Sequence, residues 1–149
     1  MRAKDAMTSP VITVTPETHC KDAAALLVRL RISALPVVDA AGQLVGLVSE
    51  VDLLPLEAMP RPRSQATPVP PRAMPRPWRV EDVMTPEVYT VDEETDLSVV
   101  ARRMIEANVR RLPVMRGGRM TGIVSRHDLV REIACADGAV EAGVERVSA

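Results

Sequence analysis

Short β-branched runs and helical apolar stripes follow one another along the chain in one order, and that order occurs twice. Val11-Ile12-Thr13-Val14 and Val88-Tyr89-Thr90-Val91 predict strands. Leu97, Val100, Ala101, Met104 and Ile105 recur at i, i+3, i+4, i+7 and i+8, which is one face of a helix. Thr95 or its neighbour is the expected N-cap, with Thr18 as its counterpart in the first half. The apolar runs Leu35 to Val38 and Leu44 to Val48 flank the turn signal Asp39-Ala40-Ala41-Gly42, and Gly117-Gly118 predicts a tighter turn at the equivalent place. Ser49 and Ser125 then open helices that include Leu53-Leu54 and Leu129-Val130.

The two halves are copies. A shift of 77 positions lays Asp5, Met7, Thr8, Val11, Thr13 and Val14 on Asp82, Met84, Thr85, Val88, Thr90 and Val91, and Leu35-Pro36-Val37 on Leu112-Pro113-Val114. After Gly42 the shift becomes 76, and Gly46, Val48, Ser49, Asp52 and Leu53 fall on Gly122, Val124, Ser125, Asp128 and Leu129. Each copy reads as strand, helix, strand, strand, helix, a β-α-β-β-α unit of about 50 residues that buries too little surface alone. The expected division is a first repeat at 1–55, a linker at 56–79, a second repeat at 80–134 and a tail at 135–149. Eight of the 13 prolines lie from Pro55 to Pro77, among Arg61, Arg63, Arg72 and Arg76, so the linker reads as extended and polyproline-like, with Trp78 anchoring it to the second half. In the tail, Val140, Val144 and Val147 recur at helical spacing and predict a short helix.

Composition narrows the function. Lys plus Arg number 19 and Asp plus Glu 20, a balance that argues against holding nucleic acid by phosphate neutralisation. Phe is absent, and Trp78 and Tyr89 are too few for a base-stacking platform. The 46% of hydrophobic residues must build the core from Val, Leu, Ile, Ala and Met. Cys20 and Cys135 form no C-x-x-C and read as free thiols of a reducing cytoplasm, the expected location. No apolar run reaches the roughly 18 residues of a membrane span, and no nucleophile elbow, phosphate loop or metal-ligand spacing implies an enzyme.

Ser49-x-x-Asp52 and Ser125-x-x-Asp128 carry the candidate chemistry. One reading is a capping box: the Ser hydroxyl accepts from a helix N–H, and the Asp carboxylate accepts from the Ser N–H. The other is recognition, since a carboxylate accepts two hydrogen bonds side by side and so suits the adjacent hydroxyls of a ribose, while free helix N–H groups suit a phosphate.

Both copies resemble the CBS motif, and the tandem resembles a CBS pair, or Bateman module. The residues that carry the likeness are Met7-Thr8, Ile32 to Asp39 and Gly46 to Leu54 in the first copy, and Met84-Thr85, Val109 to Val114 and Gly122 to Val130 in the second. The resemblance implies a mixed α/β fold of the α+β type, with the repeats packed about a pseudo-two-fold axis through their sheets and a ligand groove for each. It implies a regulatory module that senses AMP, ADP, ATP or S-adenosylmethionine, requires no cofactor, takes AMP or ATP as regulatory ligand, forms a homodimer and signals to an unidentified effector protein. Neither nucleic acid nor a membrane is an expected partner. The alternative is a dimerisation or interaction module with no nucleotide ligand.

By the same resemblance, Asp52 and Asp128 grip ribose with Ser49 and Ser125 beside them. Ile32, Ser33, Ala34, Leu35 and Pro36, and Val109, Arg110, Arg111, Leu112 and Pro113, form the segments that meet adenine, while Thr8, Ile12, Thr85, Ile123, Arg126 and His127 complete the grooves. A crossed pairing is expected, Ile32 and Ser33 with Ser125 and Asp128, and Val109 and Arg110 with Ser49 and Asp52. Arg110 beside Asp52 would then favour a phosphorylated nucleotide there, because a guanidinium grips phosphate through two parallel bonds.

Overall fold

A computed structural model describes residues 1–58 and 77–136. Most of the expected linker and all but the first two residues of the expected tail, with Val140, Val144 and Val147, lie outside them. The chain divides into two compact units that do not follow the order of the sequence. One takes Met1–Ser9 together with the described residues of Tyr89–Arg116 and Thr121–Ala149; the other takes those of Pro10–Val88 with Gly117–Met120.

The first of these, the second-repeat unit, holds α1 (Ala3–Ala6), β3 (Val91–Asp92), α5 (Leu97–Glu106), β4 (Arg111–Arg116), most of β5 (Arg119–Ser125) and α6 (Arg126–Ala136). Its sheet has the order β3-β4-β5, with β3 parallel to β4 through Val91↔Val114 and Asp92↔Met115. Val91, Val100, Met104, Leu112, Val114 and Val124 form its core, and Ala3 and Ala6 of α1 are part of it. The four-residue α1 is too short to hold itself. It is held by Ala3 N–H to the Thr95 carbonyl (2.8 Å), Lys4 N–H to Glu93 (3.0 Å) and Leu97 N–H to Met1 (3.1 Å).

The first-repeat unit contains α2 (Cys20–Leu30), β1 (Ala34–Val38), β2 (Leu44–Ser49), α3 (Glu50–Ala58) and α4 (Val80–Val83). β1 and β2 are antiparallel, with Ala34 opposite Ser49 and Pro36 opposite Leu47. Val14, Ala23, Leu27, Leu35, Val37, Val48 and Val80 form the core. Here α4 stands where α1 stands in the other unit: Val80 N–H donates to Thr18 (2.8 Å) and Glu81 N–H to Pro16 (2.9 Å). The segment before each repeat's first apolar run therefore packs on the other repeat.

Three expectations change. The run Val11 to Val14 is not a strand: only Val14 pairs, in a parallel bridge to Val37, and in the second copy β3 is confined to Val91 and Asp92. A single side chain of each run, Val14 or Val91, is buried, so little apolar contact rewards further pairing. Helix α3 continues through Pro55 to Ala58, making the start of the expected linker helical. Trp78 is 48% exposed, and its carbonyl accepts from Cys20 N–H (2.9 Å) at the start of α2, so this residue is tied to the first repeat's helix.

Helix ends set up the segments that precede β1 and β4. Asp96 caps α5, accepting from Ser98 N–H at 2.8 Å, whereas His19 caps α2 with no side-chain bond. Arg31 (φ 53°) and Asn108 (φ 51°) both adopt the left-handed conformation that turns the chain out of a helix. The closing bonds are alike, Ile32 N–H to Leu27 (3.1 Å) and Val109 N–H to Met104 (3.0 Å).

Candidate functional site

Each hairpin runs directly into a helix at the Ser-x-x-Asp turn. Asp52 Oδ2 accepts from Ser49 N–H (2.7 Å) and from Ser49 Oγ (2.9 Å). Asp128 Oδ2 accepts from Ser125 N–H (2.8 Å) and Ser125 Oγ (2.6 Å), and Ser125 Oγ in turn accepts from Asp128 N–H (3.3 Å). The carboxylate half of the cap is thus present in both turns and employs one oxygen of each carboxylate, while the hydroxyl half, accepting from a helix N–H, is seen at Ser125. The other oxygens differ. Asp52 Oδ1 has no partner among the described residues, whereas Asp128 Oδ1 accepts from Arg131 Nη2 at 3.2 Å. Asp128 is correspondingly buried, at 7% exposure.

The segment before each second strand meets the turn of its own repeat. Glu50 N–H donates to the Ser33 carbonyl (3.0 Å) and Arg126 N–H to the Arg110 carbonyl (2.9 Å). Arg126 Nε adds a bond to the Val109 carbonyl (3.1 Å). The cause is register: with Ala34 opposite Ser49, Ser33 falls beside Glu50. Arg110 thus lies beside the Asp128 turn and Ser33 beside the Asp52 turn.

Two threonines cross between repeats. Thr8 exchanges two backbone bonds with Ile123, N–H to carbonyl at 2.9 Å and the reverse at 3.1 Å, two residues before Ser125. Thr85 does the same with Leu47, at 2.9 and 3.0 Å, two residues before Ser49. Gly122 and Gly46 permit the approach, because a Cβ on either would press on Met7 or Met84.

The remaining candidates divide by burial. Ala34, Leu35, Pro36, Leu112 and Pro113 are buried. Leu35 and Leu112 belong to the two cores, so their side chains are committed to packing. Ile12 and Ile32 are exposed at 47% and 37%. Ile123 and Arg111 are half-buried, and Thr8, Thr85, Arg110, Arg126 and His127 are exposed. Arg131 was not among the sequence candidates. Its available signal was an opposite charge three residues after Asp128 on a helix.

The CBS domain family matches residues 3–57 and 80–135. The chloroplastic CBS domain-containing protein CBSX1 of Arabidopsis thaliana is 35% identical over 136 residues, 79% of this chain and 57% of the relative. YhcV of Bacillus subtilis, a CBS domain-containing protein, is 30% identical over 126 residues, 85% of this chain and 81% of its own length. The chain spans little more than half the length of the Arabidopsis relatives it matches. Among solved structures, the CBS domain pair of protein MJ0100 in complex with 5'-methylthioadenosine and S-adenosyl-L-methionine has a TM-score of 0.74 at 27% identity, covering 90% of this chain and 96% of that one. CBSX2 in complex with AMP has a TM-score of 0.73 at 31% identity, covering 91% and 98%. With both repeats matched and the mixed α+β fold shared with CBS domain pairs, the chain belongs to the CBS domain family.

Proposed function

We propose that the chain is a regulatory module that binds adenosine-containing nucleotides at its Ser-x-x-Asp turns and transmits the bound state to a partner protein. The observation that carries this reading is the Asp52 oxygen without a partner among the described residues, its sister oxygen held by Ser49, which suits it to accept from a ribose hydroxyl. Solved relatives hold AMP in one case and methylthioadenosine with S-adenosylmethionine in another, which supports the adenosine class. In this reading the chain is not itself catalytic, requires no cofactor, acts in the cytoplasm and works as a homodimer. Leu54 and Val130, equivalent positions exposed at 67% and 61%, supply apolar surface for that association. No helix among the described residues is long and apolar enough to cross a membrane. A ligand signals only through unequal affinity for two arrangements of the protein, so its effect on the partner scales with that difference.

Thermal unfolding with AMP, ATP and S-adenosylmethionine tests the proposal. A true ligand at a hundred times its Kd adds about 2.7 kcal/mol of stability. The increment is expected in the unsubstituted chain and absent when both Asp52→Asn and Asp128→Asn are present. Comparing increments within each variant separates ligand binding from loss of the cap itself. If all three compounds leave the unsubstituted chain unshifted, the nucleotide reading fails and the interaction module takes its place.

A further inference from the structure

We infer that Arg131 sets the ligand class of the second turn: it already donates to the Asp128 oxygen that a ribose hydroxyl would use, so this turn admits a phosphorylated nucleotide and disfavours an uncharged nucleoside. The inference rests on the nucleotide-sensing reading and narrows it. By the repeat alignment Arg131 falls on Pro55, a residue with no donor to offer Asp52. The surroundings diverge in the same sense. Arg110, Arg111, Arg126 and His127 stand where the first repeat has Ser33, Ala34, Glu50 and Val51. Arg110, Arg126 and Arg131 thus stand at the Asp128 turn, whereas at the Asp52 turn Glu50 adds a second negative charge.

The Arg131–Asp128 contact is built to yield. The Arg131 side chain is 53% exposed while the Asp128 side chain is 10% exposed, and the two are three residues apart on α6. A pair held by one 3.2 Å bond, with its arginine half in water, contributes little net free energy. A phosphate with nearly two negative charges matches the guanidinium fork better than one carboxylate oxygen does. It would draw Arg131 away and release Asp128 Oδ1 to the ribose. Arg126 is less free to respond, because its Nε is already bonded to the Val109 carbonyl. An uncharged nucleoside offers Arg131 nothing in exchange and must compete with it for the carboxylate. At Asp52 no such competitor exists among the described residues, so an uncharged adenosyl ligand meets an open oxygen there.

Calorimetric titration of adenosine and AMP into the full chain carrying Asp52→Asn leaves the second turn to report. AMP is expected to bind at least about tenfold more tightly than adenosine, the scale of one charge-assisted bond. Adding Arg131→Ala should collapse that ratio to near unity by strengthening adenosine and weakening AMP. Arg131→Lys, which keeps the charge, should retain part of the preference. An unchanged ratio in Arg131→Ala, with both ligands still binding, overturns the role of Arg131 and leaves the nucleotide reading standing. A Lys variant indistinguishable from the Ala variant overturns the electrostatic account. If neither compound binds the unsubstituted chain or any variant, the nucleotide reading itself falls, and this inference with it.

Discussion

Two hydrogens, one on each of two glycines, decide whether a threonine reaches each turn. At Gly122 a methyl group would lie 2.7 Å from Met7 Cγ and 3.0 Å from Met7 Cβ; at Gly46 it would lie 2.7 Å from Met84 Sδ and 3.1 Å from the Thr85 carbonyl oxygen. Neither strand can recede without breaking the paired backbone bonds of Thr8 or Thr85. Gly122→Ala should therefore destabilise by about 1–3 kcal/mol, the range for overpacking. In urea unfolding, the Gly122→Ala/Met7→Ala double variant should lose less than the sum of its parts, because removing the Met7 side chain removes the clash. Additive losses would show that the crowding is absorbed elsewhere. At this scale the sequence was informative wherever a residue acts on near neighbours. Ser49 with Asp52, and Ser125 with Asp128, cap a helix start whatever else they do, and the structure shows them doing so. Arg131 was harder to see because its aligned residue is Pro55, so the repeat carries no echo of it.

Helices were more legible than the first strands. An amphipathic stripe is a property of one segment, and Val100 and Met104 of α5 are buried on the face their spacing predicts, although Ile105 of the same expected stripe is 77% exposed. A strand needs a partner, and the four-residue runs at Val11 and Val88 have one only at their ends. The short α1 is an extreme case, since its position depends on contacts distant in sequence. Lys4 and Arg2 both bond the Glu94 carboxylate and hold it below the usual carboxylate range. A depressed carboxyl pKa stabilises the fold above the unfolded value, about 4.3, and that contribution disappears as pH falls through the folded value. Thermal unfolding should thus find Glu94→Gln less stable than the unsubstituted chain at pH 7, with the difference closing below about pH 4. Because the pair is at the surface, added salt should shrink the difference at pH 7. A gap that persists into acid would assign the effect to packing rather than to charge.

Duplication was legible from end to end, but the exchange between the copies was not, and the reason is physical. Ala3 to Thr8 and Val80 to Thr85 resemble each other closely enough that either could pack on either repeat, so a self-paired and a cross-paired chain satisfy the same hydrophobic pattern. Only the three-dimensional contacts choose, and they place Ala3 and Ala6, at 0% and 2% exposure, in the core with Val100, Met104 and Leu112. This choice has an asymmetric consequence. Deleting residues 1–6 removes from the second-repeat unit two buried side chains, the Ala3 and Lys4 bonds to Thr95 and Glu93, and the carbonyl that Leu97 N–H donates to. The first-repeat unit keeps its own clamp, Val80 to Thr18 and Glu81 to Pro16. In a deletion variant, hydrogen exchange should therefore accelerate in 91–92, 97–106, 111–116 and 121–125 while protection persists in 34–38 and 44–49, since buried backbone opens where its packing partners are lost. Self-pairing predicts the reverse, with protection lost first around β1 and β2. The distinction carries into ligand binding: the deletion should abolish binding at Asp128, whose neighbour Ile123 loses the ordered approach of Thr8, and spare Asp52, whose Thr85 arrives from α4.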